Sequence, residues 1–183
     1  MHLCQRYIET KPFFRMARSV FELNEELLTV IHAFKYKGHM HLANPLGLLL
    51  AMGYDTYYEE LPVDMIIPVP LHRQKACMRG FNQSYSLANE MAKYTKRCSD
   101  IIKPFVLKRV KNTISQTGLS REERWKNMQD AFGINKKINV MGKRILIVDD
   151  ILTTGATVNM CAKVLMKNKA ESVDVLTLAR APL

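Results

Sequence analysis

The chain has 183 residues, enough for one well-packed domain with little room for a second. Its hydrophobic share of 48% and charged share of 24% are typical of globular proteins, and no apolar stretch approaches the roughly 18 residues that a membrane span requires. A net charge of +10 favours a phosphate-rich or polyanionic ligand, with a solvated basic surface as an equal alternative.

The thiols of this chain give no metal or redox motif, because no two of them form a Cys-x-x-Cys pair. The four cysteines are Cys4, Cys77, Cys98 and Cys161. We interpret them as inert thiols of a reducing compartment and expect no zinc site. Lys11, Arg15 and Arg18 interrupt what would be the apolar core of a secretion signal, so a cytoplasmic location is expected.

In chain order, residues 1–20 show no regular pattern and are expected to be irregular. A helix should begin after Asn24, a good N-cap residue that is followed by two glutamates. A second helix is predicted to start at Pro45, a residue that suits the first helical position. A short apolar strand is predicted over 65–69, and a further helix over 84–95.

The second half of the chain predicts the core of a parallel sheet. A strand is expected near 105–107, and Ser120 with Glu123 forms a capping box that predicts another helix. The apolar run 145–148 is typical of a buried parallel strand, and apolar residues at helical spacing follow it before a last strand over 173–178. Strand, helix and strand in this order predict an α/β fold with a central, mainly parallel sheet flanked by helices.

The segment after strand 145–148 carries the most informative chemistry. Asp149 and Asp150 lie where ligands bind in open α/β sheets, and carboxylates there suit sugar hydroxyls and Mg²⁺, directly or through water. Threonines and a glycine follow at a helix N-terminus, where backbone amides and hydroxyls bind phosphate. The alternative is a purely structural role, in which the Asp pair caps a helix next to a Thr-Gly turn. The usual nucleotide-binding glycine motifs are absent from the sequence.

The motif Val148-Asp149-Asp150-x-x-Thr153-Thr154-Gly155-Ala156-Thr157 resembles the loop that binds 5-phosphoribosyl-1-pyrophosphate (PRPP) in type I phosphoribosyltransferases. Other segments narrow the resemblance to the ComF/GntX family, which comprises phosphoribosyltransferase-like proteins linked in competent bacteria to DNA uptake. These segments are 34–38, 68–71, 79–83, Gln116 with Arg121, Arg124 and Asn127, and 178–180. The resemblance runs from about Arg18 to Arg180.

The resemblance implies a role for each part of the site. Asp149 and Asp150 would be the catalytic pair that holds the ribose hydroxyls and Mg²⁺. The 5′-phosphate would bind at Thr153, Thr154, Gly155, Ala156 and Thr157. The pyrophosphate would be held by Pro70, Leu71, Arg79, Gly80, Asn82, Arg109 and Gln116, with 109–118 as a mobile loop over the site. Ordinary surface charge is the alternative for Arg79 and Arg109.

Two departures from the relatives affect these expectations. Family members usually begin with a four-cysteine zinc finger, so residues 1–20 are expected to be a remnant of it, with Cys4 as a stranded ligand, and residues 21–183 to form the phosphoribosyltransferase-like domain. In purine-salvage relatives a carboxylate occupies the position of Thr153, and threonine is no general base at neutral pH. Chemistry on hypoxanthine or guanine is therefore not expected.

Three functions follow from the sequence. The first is a transferase, formally a glycosyltransferase of nucleoside metabolism, that moves phosphoribosyl groups from PRPP with Mg²⁺ to an unknown acceptor. The second is a non-catalytic, PRPP-responsive module that handles single-stranded DNA during competence, together with a partner from the competence machinery. A weaker third is a regulator whose nucleic-acid binding responds to PRPP.

Overall fold

The computed structural model describes residues 12–36, 39–95, 99–111 and 130–182. Within these ranges the central sheet has four strands: β1 (Met16–Glu22), β2 (Met65–Pro68), β5 (Arg144–Leu152) and β6 (Ser172–Arg180). They are all parallel and lie in the order β1-β6-β5-β2. A small antiparallel pair, β3 (Leu107–Arg109) and β4 (Phe132–Ile134), lies apart from it. The predicted α/β fold with a parallel sheet is confirmed.

Helices surround this sheet, and their caps follow from the sequence. They are α1 (Glu25–Tyr36), α2 (Ala43–Tyr58), α3 (Arg73–Arg79), α4 (Gln83–Tyr94) and α5 (Ala156–Lys167), with 3₁₀ turns at Met40–Leu42 and Ser99–Ile101. Asn24 Oδ1 accepts a hydrogen bond of 2.9 Å from the Leu27 amide, which confirms the predicted N-cap. Helix α2 begins at Ala43, so Pro45 lies within its first turn rather than at its first position.

The sheet separates two hydrophobic clusters, because successive side chains of a strand point to opposite faces. In β5, Ile145 and Ile147 belong to the cluster that includes α5 and the small β3–β4 pair. Leu146 and Val148 belong to the other cluster, with α2 and α4. Both faces of β5 are buried, which explains why its sequence is a continuous apolar run rather than an alternating one.

Several of the predicted elements differ from those in the structure. Residues 16–20 are not irregular but belong to β1, whose backbone pairs with β6. The strand expected at 105–107 is shifted to Leu107–Arg109. Helix α3 was not predicted, because its sequence carries no apolar face. The helix expected from Ser120 lies outside the described residues.

In the part of the chain that the structure describes, no helix is both long and apolar enough to cross a membrane. Cys77 is an exposed free thiol and Cys161 a buried one, whereas Cys4 and Cys98 fall outside the described ranges. Burial raises the pKa of the Cys161 thiol well above its usual value, so this thiol stays protonated and unreactive.

Candidate ribose-phosphate site at the carboxyl edge of the sheet

The candidate site lies where β5 leaves the sheet and α5 begins. Asp149 and Asp150 were expected in the loop after the strand, but β5 continues through both to Leu152. The register explains this extension, since Asp149 is opposite Thr177 and Ile151 is opposite Ala179 of β6. The two carboxylates are therefore placed by sheet hydrogen bonding, which gives them a more rigid backbone than a loop would.

Asp150 is buried and forms an ion pair with a residue from another part of the chain. Lys35 Nζ, in the last turn of α1, lies 2.6 Å from Asp150 Oδ2. The Lys35 and Asp150 side chains are only 15% and 6% exposed. The other carboxylate oxygen, Oδ1, accepts a hydrogen bond of 2.7 Å from the Ile151 amide. A buried carboxylate requires such partners, because isolation from water penalises its charge.

Asp149 has a different environment. Its Oδ1 accepts a hydrogen bond of 2.8 Å from the Ser84 hydroxyl, in the first turn of α4. Burial raises the pKa of Asp149 to about 7, and the neighbouring Asp150 carboxylate adds to this increase. Lys35 and the Ser84 hydrogen bond lower that pKa and so oppose the increase. The two adjacent carboxylates thus have different polar partners, a hydroxyl for Asp149 and an ammonium for Asp150.

The predicted phosphate-binding segment forms the N-terminus of α5. Gly155 is its N-cap residue, has a left-handed φ of +76° and makes no side-chain cap. A Cβ built there would meet only Leu152 Cδ1, at 4.0 Å, so the space in front of the helix is open. Thr154 Oγ1 accepts a hydrogen bond of 3.3 Å from the Ala156 amide, and Thr153 is exposed. The first-turn amides and the helix dipole make this opening suitable for an anion.

Asn82 ties the segment after β2 to α4. Its Oδ1 accepts hydrogen bonds from the Ser84 and Tyr85 amides, and its Nδ2 donates to the Val69 carbonyl at 3.1 Å. The adjacent Pro70 is buried, and Leu71 is half-buried. One side chain therefore fixes both the turn after β2 and the helix that carries Ser84. The predicted pyrophosphate segment is in this way held next to Asp149.

Three cations lie close enough for their charges to affect one another, and one of them, Arg109, also interacts with the charge of Asp149. The pKa of Lys75 is lowered by burial first and then by the charges of Arg109 and Arg79. The pKa of Arg109 is lowered by burial, while the charge of Asp149 acts in the opposite direction. Arg109, at the end of β3, also has its guanidinium carbon 5.6 Å from the Phe132 ring centre. We call Lys75, Arg79 and Arg109 the cation cluster.

Arg79 connects this cluster to α1. Its Nη2 donates a hydrogen bond of 2.8 Å to the Tyr36 hydroxyl, and its guanidinium carbon lies 4.6 Å from the centre of the Tyr36 ring. Its Nη1 donates a bond of 3.0 Å to Gln83 Oε1, while Gly80 ends α3 with a left-handed φ. The Tyr36 ring is 62% exposed. Arg79 is therefore held in one orientation and is not an ordinary mobile surface charge.

The family was decided by comparison with known proteins. Residues 79–182 match the family model described as "Phosphoribosyl transferase domain". Competence protein F of Haemophilus influenzae is 32% identical over 97% of this chain and 78% of its own length. The chain belongs to the ComF family. The DNA utilization protein YhgH of Escherichia coli O157:H7 is also 32% identical, over 97% of this chain and 77% of its own length.

A search of solved structures aligns this ComF chain with the protein TT1426 from Thermus thermophilus. The TM-score is 0.44 at 14% sequence identity, covering 76% of this chain and 74% of that one. The family assignment agrees with the observed fold, a parallel sheet flanked by helices. The two central strands of the sheet, β5 and β6, lie within the matched range.

The structure brings together most residues that the ComF resemblance implied and adds three more. Gln116 and the rest of 112–118 lie outside the described residues, so their predicted part in the site stays a prediction. Sequence reasoning missed Lys35 and Ser84, which contact the acid pair, and Lys75, whose charge interacts with Arg79 and Arg109. Lys75 and Arg79 stand four residues apart, a spacing that places both on one face of a helix and could have indicated the cluster.

Proposed function

We propose that this ComF-family protein binds PRPP together with Mg²⁺ at the carboxyl edge of its sheet and transfers the phosphoribosyl group to an acceptor. One observation carries the proposal: the acid pair Asp149–Asp150 stands at the end of β5, shortly before the open N-terminus of α5, and Ser84 and Lys35 hold its two carboxylates there. Arg109 of the cation cluster is near enough to Asp149 for the two charges to interact. A ribose needs hydroxyl acceptors, and it carries a phosphate on one side and a pyrophosphate on the other. The acid pair, the open helix N-terminus and the cation cluster supply the groups that such a ligand requires.

The residues present suit a hard divalent cation. Asp150 Oδ2 is buried, and its near neighbour is the Lys35 ammonium, so the position already accommodates positive charge. Across the described ranges no group of three or more His, Cys, Asp or Glu side chains could hold a metal ion. The two carboxylates would therefore hold Mg²⁺ with help from water and from ligand oxygens, which is the way proteins usually bind this ion.

In this proposal the protein contributes position and charge. Asp149 and Asp150 accept hydrogen bonds from the ribose hydroxyls, and the first turn of α5 binds the 5′-phosphate. The cation cluster stabilises the pyrophosphate as the bond between C1 and its oxygen breaks. The acceptor forms the new bond to C1 and loses a proton to solvent. When bound, Mg²⁺ would neutralise part of the negative charge on the departing pyrophosphate. No covalent enzyme intermediate is required.

The test has two arms. Calorimetric titration of the full chain with PRPP, with and without Mg²⁺, should show binding that depends on the metal. Pyrophosphate release, assayed against a panel of nucleobases, amines and single-stranded oligonucleotides, then distinguishes transfer from binding alone. Absence of PRPP binding under both conditions would overturn the proposal, and binding without release on any acceptor would leave a ligand-responsive module.

Single-stranded DNA handling is the second candidate function. The observation that favours it is the exposed Tyr36 ring beside the cation cluster, because bases stack on aromatic rings while phosphates pair with cations. The nearby Phe81 is half-buried and packs against Phe34 with ring centres 5.3 Å apart, so it belongs to the core and is no base-stacking surface. Tyr94 is 43% exposed. Two relatives carry names that refer to competence and DNA utilization, which agrees with this candidate.

A further inference from the structure

We propose that Lys35 is a built-in counter-ion of the acid pair, which holds Asp150 in the ligand-free protein and leaves it when Mg²⁺ and PRPP bind. This inference rests on the proposed function. It assigns to Lys35 a positioning role, in which the lysine competes with the metal for one carboxylate oxygen.

The ion pair between Lys35 and Asp150 is unusually buried for one that involves a lysine. Lys93 and Glu90 form an ion pair of the same 2.6 Å length within α4, but the Lys93 side chain is 58% exposed. The Lys35 side chain is only 15% exposed and reaches from the last turn of α1 to the end of β5. Lysine is rarely buried unless paired, since its ammonium is strongly hydrated. The fold thus positions this charge at one carboxylate.

One lysine cannot neutralise two carboxylates. Asp149 has the Ser84 hydroxyl as its side-chain hydrogen-bond donor, and Asp150 has the ammonium. A divalent cation can interact with both carboxylates at once and carries twice the charge of the lysine. With Mg²⁺ at Asp150 Oδ2, the Lys35 ammonium would face a like charge a few ångströms away. Metal binding and the Lys35 contact therefore compete for the same carboxylate oxygen.

The decisive experiment measures metal affinity in the absence of PRPP. Mn²⁺ is titrated into the full chain and followed by electron paramagnetic resonance, in the wild type, Lys35→Gln and Lys93→Gln. Removing the competing ammonium should tighten Mn²⁺ binding roughly tenfold in Lys35→Gln. Lys93→Gln, the matched surface control, should not differ from wild type. In EDTA the Lys35→Gln protein should melt at a lower temperature, and added Mg²⁺ should restore more of its Tm than it adds to the wild type.

Equal Mn²⁺ affinity of Lys35→Gln and wild type, with PRPP binding intact, would overturn the role of Lys35 and leave the proposed function standing. Weaker PRPP binding by Lys35→Gln with no gain in Mn²⁺ affinity would also overturn it, because Lys35 would then contact the ligand. Failure of PRPP and Mn²⁺ to bind any variant would sink the proposed function itself.

If Lys35→Gln does not fold, an NMR measurement on the wild-type protein tests the proposal instead. Its ¹⁵N-labelled lysine ammonium signals, with Lys35 assigned through Lys35→Arg, should show Lys35 protected from water before ligand is added. Addition of Mg²⁺ with PRPP should abolish that protection. A Lys35 signal that does not change on saturation would overturn the proposal.

Discussion

The Ser84 hydroxyl donates a 2.8 Å hydrogen bond to Asp149 Oδ1, joining the first turn of α4 to the end of β5. Removing it in Ser84→Ala should weaken Mg²⁺-dependent PRPP binding by about 1.5 kcal/mol, or roughly tenfold, because Asp149 loses a charge-assisted partner. Calorimetry measures the affinity. Ser86→Ala is the matched control, since its hydroxyl donates to the Asn82 carbonyl at the start of the same helix. Equal affinity of the two variants would contradict a role for Ser84.

Asp150→Asn should weaken Mg²⁺-PRPP binding by about 1.5–3 kcal/mol, roughly 10- to 150-fold, since one charged contact is lost. The structure adds a cost in stability, because Lys35 would lose its carboxylate; breaking a buried pair costs about 3 kcal/mol. The double variant Asp150→Asn with Lys35→Gln should recover stability in urea unfolding but not PRPP affinity. Recovery of both would show that Asp150 acts through the fold alone, and recovery of neither would contradict the stability cost assigned to the unpaired Lys35.

Gly155→Ala should impair ribose 5-phosphate binding more than it impairs folding. A left-handed φ costs a residue with a Cβ about 1–2 kcal/mol, and the Cβ would project into the open space before α5. Gly142→Ala is a matched control with φ of +66°, open surroundings and a position in the turn before β5. Both variants should lose similar stability, whereas only Gly155→Ala should lose ligand affinity. Gly155→Val should have the larger effect. Normal affinity in both Gly155 variants would mean that the loop is only a helix cap.

Asp64 and Arg144 should contribute an acid-sensitive part of the stability. The Arg144 side chain donates two hydrogen bonds to the carboxylate, and its backbone amide donates a third, which lowers the pKa of Asp64 to about 2. A depressed pKa stabilises the fold above the unfolded value of 3.8 and loses this contribution as the pH falls towards 2. The effect is modest because the pair is partly exposed. Urea unfolding should show Asp64→Asn less stable than wild type at neutral pH and equal to it near pH 2. A constant difference across this range would contradict the assignment.

Single-stranded DNA should bind weakly, without sequence preference, and less at higher salt. Each neutralised phosphate lowers log K by about 0.7 per decade of salt. Tyr36→Ala should cost about 1–3 kcal/mol if one base stacks on that ring. Tyr57→Ala is the comparison, because Tyr57 is an exposed tyrosine that faces Arg18 instead of the cation cluster. Fluorescence anisotropy with a labelled oligonucleotide measures all three proteins. No binding of wild type at low salt would remove DNA from the direct ligands.

The sequence predicted the elements whose signal is local. The N-cap at Asn24, the apolar run within β5 and the amphipathic helix α5 are patterns of neighbouring residues, and all three are present. Strand β1 was missed because it depends on backbone pairing with β6, far away in the sequence. The extension of β5 through two aspartates has the same cause, since the ladder to β6 overrides their poor strand propensity.

The site residues that the sequence did not predict were missed for a similar reason. Lys35 and Ser84 stand in helices that the sequence did predict, but nothing near them in the chain indicates which carboxylate each contacts. Such contacts arise only when the helices pack on the sheet. By contrast, the acid pair and the threonine-glycine segment could be predicted as a site, because the whole motif is continuous in sequence.

The order β1-β6-β5-β2 has a consequence for how the chain is made. Every strand pairing of the four-stranded sheet involves β5 or β6, which come from residues 144–180. Strands β1 and β2 leave the ribosome long before their partners and expose unpaired edges while they wait. Such non-local pairing also slows folding, because loops must close before the contacts form. We therefore expect the nascent chain to depend on chaperones until β6 has emerged, and then to complete its sheet in one late step.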